Sequence, residues 1–145
     1  MRNLRGNTSL DTSALIEYLM GTKAGEVVKR YFETLKPEET TYCSLLAISE
    51  IFYILCRLEG VAFAEDKIDR TLKSQTLRVY NTTDLAVEAG KIKCERAMSL
   101  ADCSCIAVAK LVDAKAVFAR KERDFVREME RKPFDIEIVF LEEQK

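Results

Sequence analysis

Ser99-Leu100-Ala101-Asp102-Cys103-Ser104-Cys105-Ile106-Ala107-Val108-Ala109 is a run of small and aliphatic residues in which Asp102 is the only charged side chain between Arg96 and Lys110. Its spacing predicts a helix from about Leu100 to Val112 with one acid near its start. Two other stretches repeat the pattern. Glu50 is the lone charge from Ser44 to Leu55, and Asp11 is the lone charge from Asn7 to Ile16. Each acid occupies a position where an apolar residue is the cheaper choice, and an ionised carboxylate buried without a partner is costly. Three such acids point to a shared positive partner, most simply a divalent cation.

The rest of the composition narrows the chemistry. At 145 residues the chain has the length of one domain, enough to bury about 70% of its unfolded surface, and a single domain over residues 1–145 is expected. With 48% hydrophobic and 32% charged residues and a formal charge of -1, the chain reads as a globular protein rather than a generally polybasic nucleic-acid binder. No apolar run reaches the roughly 18 to 20 residues of a membrane span, and the residues from Met1 to Gly6 lack the apolar centre of a signal peptide. A cytoplasmic protein with no membrane partner is expected. The five cysteines, Cys43, Cys56, Cys94, Cys103 and Cys105, form no C-x-x-C pair and read as reduced thiols. Histidine is absent. That removes Ser-His-Asp and Cys-His catalysis and nearly every catalytic zinc arrangement, leaving carboxylates, metals, Lys, Tyr or Ser.

Along the chain, a polar strand candidate from Asn7 to Asp11 precedes a helix from Ser13 to Met20 with Thr12 or Ser13 as its cap. A second helix runs from Ala24 to Leu35 and is closed by Pro37. Thr40 to Cys43 suits a short strand, after which Ser44 caps an apolar helix that reaches Leu58 and stops at Gly60. A charged amphipathic helix from Phe63 to Lys73, a strand from Leu77 to Tyr80 and a helix from Asp84 to Met98 lead to the central helix. Ala114 to Ala119 is a buried-strand candidate, Lys121 to Arg131 a charged helix, Asp135 to Leu141 an alternating strand, and the last four residues a frayed tail. Strands separated by one or two helices predict an α/β fold, a sandwich with a mainly parallel sheet. Ligands then lie beyond the carboxyl ends of the strands, where Asp11 and the segment Arg120-Lys121-Glu122-Arg123-Asp124-Phe125 both belong.

Each acid also has a structural alternative. Asp11 can cap a helix, Ser99-x-x-Asp102 matches a capping box, and Glu122 and Asp124 stand in a charged run that can simply be solvated. Glu50 has only Arg57 as a same-helix partner. Together, carboxylates at one sheet edge repel by roughly 4 kcal/mol per pair at about 4 Å and an effective dielectric of about 20, and a hard cation removes that cost. Oxygen donors without histidine or an organised thiolate set favour Mg²⁺ or Mn²⁺ over zinc. Arg120, Lys121 and Arg123, with Lys91, Lys93 and Arg96 on the preceding helix, are candidate contacts to a nucleic-acid backbone.

On these motifs the chain resembles the PIN domains, and in particular the small VapC-like ribonucleases of toxin-antitoxin pairs. Leu10-Asp11-Thr12-Ser13-Ala14-Leu15-Ile16 matches the family's opening, Ile48-Ser49-Glu50-Ile51 its second motif, and Leu100-Ala101-Asp102-Cys103-Ser104-Cys105-Ile106-Ala107-Val108-Ala109 its third. Where the family continues with Thr-x-Asp-x-Asp-Phe, this chain has Arg120-Lys121-Glu122-Arg123-Asp124-Phe125, so Glu122 takes the place of the fourth acid and Arg120 that of the threonine. The resemblance implies a three-layer α/β/α sandwich with a central parallel sheet and Mg²⁺ or Mn²⁺ held chiefly by Asp11 and Asp102. Glu50 and Glu122 complete the catalytic acids, and Thr12, Ser13 and Asp124 are additional site residues. It further implies RNA hydrolysis, a homodimer and a small antitoxin that inserts into the acidic groove. The alternative is a catalytically inactive PIN-like module that binds RNA or a partner.

Overall fold

The computed structural model describes residues 3–144; Met1 and Arg2, from the stretch inspected for a signal peptide, and Lys145, from the predicted tail, lie outside the described residues. Five strands form one parallel sheet in the order β3-β2-β1-β4-β5: β1 (Thr8–Leu10), β2 (Thr41–Ser44), β3 (Leu77–Tyr80), β4 (Lys115–Phe118) and β5 (Ile138–Phe140). The register sets Thr8 against Thr41 and Lys115, Ser9 against Tyr42 and Ala116, and Leu10 against Val117. Helices α1 (Thr12–Leu19), α2 (Gly25–Glu33), α3 (Leu45–Glu59) and α4 (Val61–Lys73) share one core with Leu10, Cys43 and Val117. Helices α5 (Thr83–Glu95), α6 (Leu100–Val112) and α7 (Arg123–Arg131) share the other with Ala116, Phe118 and Phe140. The expected three-layer α/β/α sandwich is therefore present.

Strand order has a functional consequence. The chain moves outward from β1 through β2 to β3, then returns to the other side of β1 to place β4 and β5. The direction reverses between β1 and β4, and the crevice beyond the carboxyl ends of two such strands is where open parallel sheets bind ligands.

The polar first strand is explained by long-range partners. Thr8 and Thr41 are fully buried, and both hydroxyls donate to the Tyr31 hydroxyl, at 3.0 and 3.1 Å. Tyr31 in turn donates to the Gly6 carbonyl at 2.6 Å. On the opposite face Ser9 donates to the Cys105 carbonyl at 2.8 Å. Every hydroxyl of β1 has a partner, so its polarity costs little.

Helix α6 is buried from Cys103 to Ala109 without a break, wedged between α5 and strands β1, β2 and β4. Small side chains at 103–105, 107 and 109 permit that approach from several sides. Ser99 caps it by accepting from the Asp102 amide at 3.1 Å, and Asp113 ends it in the left-handed conformation. The Ser44 cap and Gly60 stop of α3 are as expected, with Gly60 at a φ of 91°. Gly25 is required by contact: a Cβ there would stand 2.2 Å from the Glu17 carbonyl oxygen, so the start of α2 rests directly on the end of α1.

Helices α2 and α7 are shorter than expected, α4 starts earlier, at Val61, and β5 is confined to Ile138–Phe140; three further expectations need correction. Helix α1 begins at Thr12 and its cap is Asp11, not Thr12 or Ser13, because the Asp11 backbone is still extended and its carboxylate accepts from the Ser13 amide, whereas Thr12 and Ser13 already lie within the helix. The α5 helix ends at Glu95 rather than Met98. The tail is not simply frayed, since Leu141–Glu143 form a 3₁₀ turn with Leu141 buried, held by the Lys121 amide donating to Glu142 at 2.7 Å.

Candidate active site at the β1–β4 crevice

Asp11, the first residue after β1, is only 7% exposed. Its Oδ2 accepts from the Ser13 amide at 3.0 Å and from the Ser13 hydroxyl at 2.7 Å. Both bonds fall on one oxygen, which leaves Oδ1 for the cleft. Ser13 also accepts from the Ala119 amide at 3.0 Å, and the Asp11 amide donates to the Val117 carbonyl at 2.8 Å. The ends of β1 and β4 are thereby locked in register around the acid.

Glu50 arrives from another direction. It lies in the second turn of α3, which starts immediately after β2, and its Oε1 accepts from the Thr12 hydroxyl at 2.8 Å. Thr12 is buried, lines the same cleft and orients Glu50 through this bond. Asp102, half-buried in the first turn of α6, arrives from the opposite layer of the sandwich. Glu122 is the exposed N-cap position of α7. It is set at the rim because Phe125, one turn on, is buried edge-to-face against Phe118 and Phe140, with centroids 4.7 and 5.4 Å away.

These four acids line one cleft of about 310 Å³, together with Thr12, Ser13, Glu17, Ser99 and Arg120. Electrostatics mark it as strained. Burial, and next the charge of Asp102, push the Asp11 carboxyl from its ordinary 3.8 up to about 7. Burial also raises Asp102, with Glu122 and Glu50 adding to the effect against the lowering contact from Ser99. A carboxyl that resists ionisation inside a cleft of other carboxyls is the signature of a site that wants a cation or a proton. Among the described residues, no three His, Cys, Asp or Glu side chains stand close enough together to hold an ion unaided.

Other sequence candidates divide sharply. Asp124 is exposed and does not line the cleft. Lys121 is turned away, pairing with Glu143 at 3.0 Å, and Arg123 is likewise outside the lining. Arg96 is engaged within the fold: its side chain is 7% exposed, faces Glu128 at 3.8 Å, donates to the Lys132 carbonyl at 2.5 Å and stacks 3.7 Å from the Phe134 ring centroid. It fastens the end of α5 to α7. Lys93 donates to the Met98 carbonyl at 2.7 Å and closes the same turn. Glu17 is the lining residue that sequence reasoning missed, because on α1 it looks like an ordinary charge on the polar face of an amphipathic helix.

Residues 9–130 match the family profile of the PIN domain. No curated protein matches the chain by sequence. Among solved structures, the fold is similar to DNA-bound VapBC from Salmonella typhimurium, with TM-score 0.68, 18% identity, and 94% of this chain and 99% of that chain covered. It is similar to Mycobacterium tuberculosis VapC20, described as a toxin that cleaves the sarcin-ricin loop, with TM-score 0.64, 22% identity and coverage of 83% and 93%. FitAcB from Neisseria gonorrhoeae gives TM-score 0.61, 16% identity and coverage of 92% and 97%. At such identities the neighbours establish the fold, and the profile match over most of the chain establishes the family: this chain belongs to the PIN domain family.

Proposed function

We propose that the chain, acting as one PIN-like unit, is a cytoplasmic endoribonuclease that hydrolyses RNA phosphodiester bonds with the help of Mg²⁺ or Mn²⁺. The observation that carries this reading is the convergence of Asp11, Glu50, Asp102 and Glu122, from four separate elements, on one cleft beyond the carboxyl ends of β1 and β4. The donor set fits a hard divalent cation, since it offers oxygen alone and Mg²⁺ is commonly bound through one or two carboxylates while keeping several waters. Asp11 and Asp102 would hold the ion, and Glu50 and Glu122 would orient its water shell. When bound, such an ion would supply Lewis acidity, making a water more acidic and relieving charge on a phosphoryl oxygen. The protein's own contribution is placement: Ser13 and Thr12 fix Asp11 and Glu50 before any substrate arrives, so little reorganisation is left for the reaction.

Several solved neighbours are toxin-antitoxin assemblies, including one from Klebsiella pneumoniae and the VapBC pairs. They support a reading in which this chain is the toxin of such a pair, a homodimer silenced by a small antitoxin. The test is cleavage of mixed RNAs with Mg²⁺ or Mn²⁺ by the wild type and by Asp102→Asn purified in parallel. Metal-dependent cutting that the substitution removes is the expected result. Two equally inert proteins, with no metal binding by calorimetry, would replace the enzyme by an inactive PIN-like binding module.

A further inference from the structure

The proposed site has to admit a polyanion into a cleft lined by Asp11, Glu17, Glu50, Asp102 and Glu122. A cation among the acids answers only part of that repulsion, so a fixed positive group at the crevice would decide whether a phosphate can settle there. Among the described residues lining the cleft, Arg120 alone is positively charged.

Its placement is specific. Arg120 is the second residue beyond β4, and its predecessor Ala119 donates its amide to Ser13, which donates in turn to Asp11. The backbone carrying Arg120 is thus registered to the central acid. The side chain is 68% exposed and meets Glu17 at 3.8 Å, while Glu17 is itself only 17% exposed. Glu17 is held from behind, since its other carboxylate oxygen accepts from the Thr22 hydroxyl and Thr22 accepts from the Gly25 amide at 3.1 Å. A nearly buried acid, anchored by its own turn, therefore holds the exposed guanidinium over the cleft by one loose contact. That contact is long enough to yield to a stronger anion.

Resting on the nuclease reading of this cleft, we infer that Arg120 binds the phosphodiester of single-stranded RNA at the reaction centre and that Glu17 is its positioning residue. A guanidinium presents a planar fork that can grip two phosphate oxygens at once, which an ammonium cannot. The arginine in place of the family's usual threonine is then a substrate contact.

The experiment measures binding of a fluorescent mixed-sequence single-stranded RNA by anisotropy without divalent metal, and cleavage of the same RNA with Mn²⁺. Wild type, Arg120→Ala, Arg120→Lys and Glu17→Gln are compared over a range of salt. For Arg120→Ala the expected result is RNA binding weaker by about tenfold or more, and a slope of log affinity against log salt shallower by about 0.7, one single-strand phosphate. Its melting temperature stays at the wild-type value, because an exposed ion pair contributes little. Arg120→Lys restores the slope but only part of the affinity. Glu17→Gln keeps the slope and lowers kcat without raising KM, because the charge is retained and its placement is lost. RNA cut by the wild type and by Arg120→Ala with the same KM and the same slope leaves the nuclease reading standing and overturns the role of Arg120. RNA bound in an Arg120-dependent way but never cut does the reverse. A wild type that neither binds nor cuts overturns both.

Discussion

The two ends of β1 are three residues apart and both are polar, yet they are built on opposite terms. At the amino end Thr8, Thr41, Tyr31 and the Gly6 carbonyl form a closed set of neutral hydrogen bonds, with each donor matched to an acceptor. At the carboxyl end Asp11 stands beside Asp102, Glu50 and Glu122, and its carboxyl is pushed up to about 7 because burial and its neighbours oppose its charge. Polarity is satisfied at one end and opposed at the other. Position in the strand order bears on the division, because the acids gather beyond the carboxyl ends of β1 and β4, where the order of the strands reverses.

The largest expected effect comes from relieving the frustrated end. Asp11 has an ordinary value of 3.8 and a folded value of about 7, so the folded chain binds this proton more tightly than the unfolded one. Stability is therefore full below pH 3.8 for this group and is lost as pH rises to about 7, by at most about 4 kcal/mol. Asn is as good a helix cap as Asp, so Asp11→Asn keeps the cap and escapes the loss. Without divalent metal, the variant should melt above the wild type at about pH 8 and converge with it near pH 4. A variant that melts below the wild type at the higher pH would make Asp11 a structural cap and dissolve the contrast between the two ends.

The closed set gives the next effect, with the opposite sign. Tyr31→Phe strands the Thr8 and Thr41 hydroxyls and the Gly6 carbonyl, which should cost about 2 kcal/mol, read as a lower urea midpoint at constant slope. RNA cleavage should be untouched, since Tyr31 is at the far end of the strand from the cleft. The smallest effect probes the border between the regions. Thr12→Val removes the hydroxyl that aims Glu50 and keeps its volume. It should lower kcat/KM about tenfold, the scale typical for a group that orients a ligand, with a stability change near 1 kcal/mol. An unchanged kcat/KM would mean that Glu50 needs no aiming.

How much of this is legible in the sequence follows the range of the interactions. Helix α6, its Ser99 cap and its single acid are local patterns, and they are read correctly to the residue. Glu50 and Asp102 announce themselves as lone charges in runs of small and apolar residues and Asp11 as the lone charge of an uncharged stretch, and all three line the cleft. The partners of β1 do not announce themselves: Tyr31 is 23 positions from Thr8 and Cys105 is 96 from Ser9, so the strand looks merely polar. Arg96 fails for the same reason. Its carboxylate partner is Glu128 and its aromatic platform is Phe134, both beyond any local window, and an arginine on a helix with no visible partner looks like a nucleic-acid contact. Glu17 is invisible because ordinary helical surfaces carry glutamates, and only the fold brings Arg120 to it. The last strand shrinks from the expected Asp135–Leu141 to Ile138–Phe140 because the short β4 offers pairing only from Ala116 to Phe118.

The cysteines, spread through both layers, make the protein its own reporter of opening. Cys94 is exposed and Cys56 half-buried, whereas Cys43, Cys103 and Cys105 are sealed. Burial pushes the Cys43 thiol up to about 12 and raises Cys105 well above the ordinary range. A thiolate-seeking label therefore reaches Cys94 in the native state but reaches the sealed thiols only when their surroundings part. Because Cys43 belongs to the core under α1 to α4 and Cys105 to the core under α5 to α7, their relative labelling rates tell whether the two faces of the sheet come apart together or one at a time.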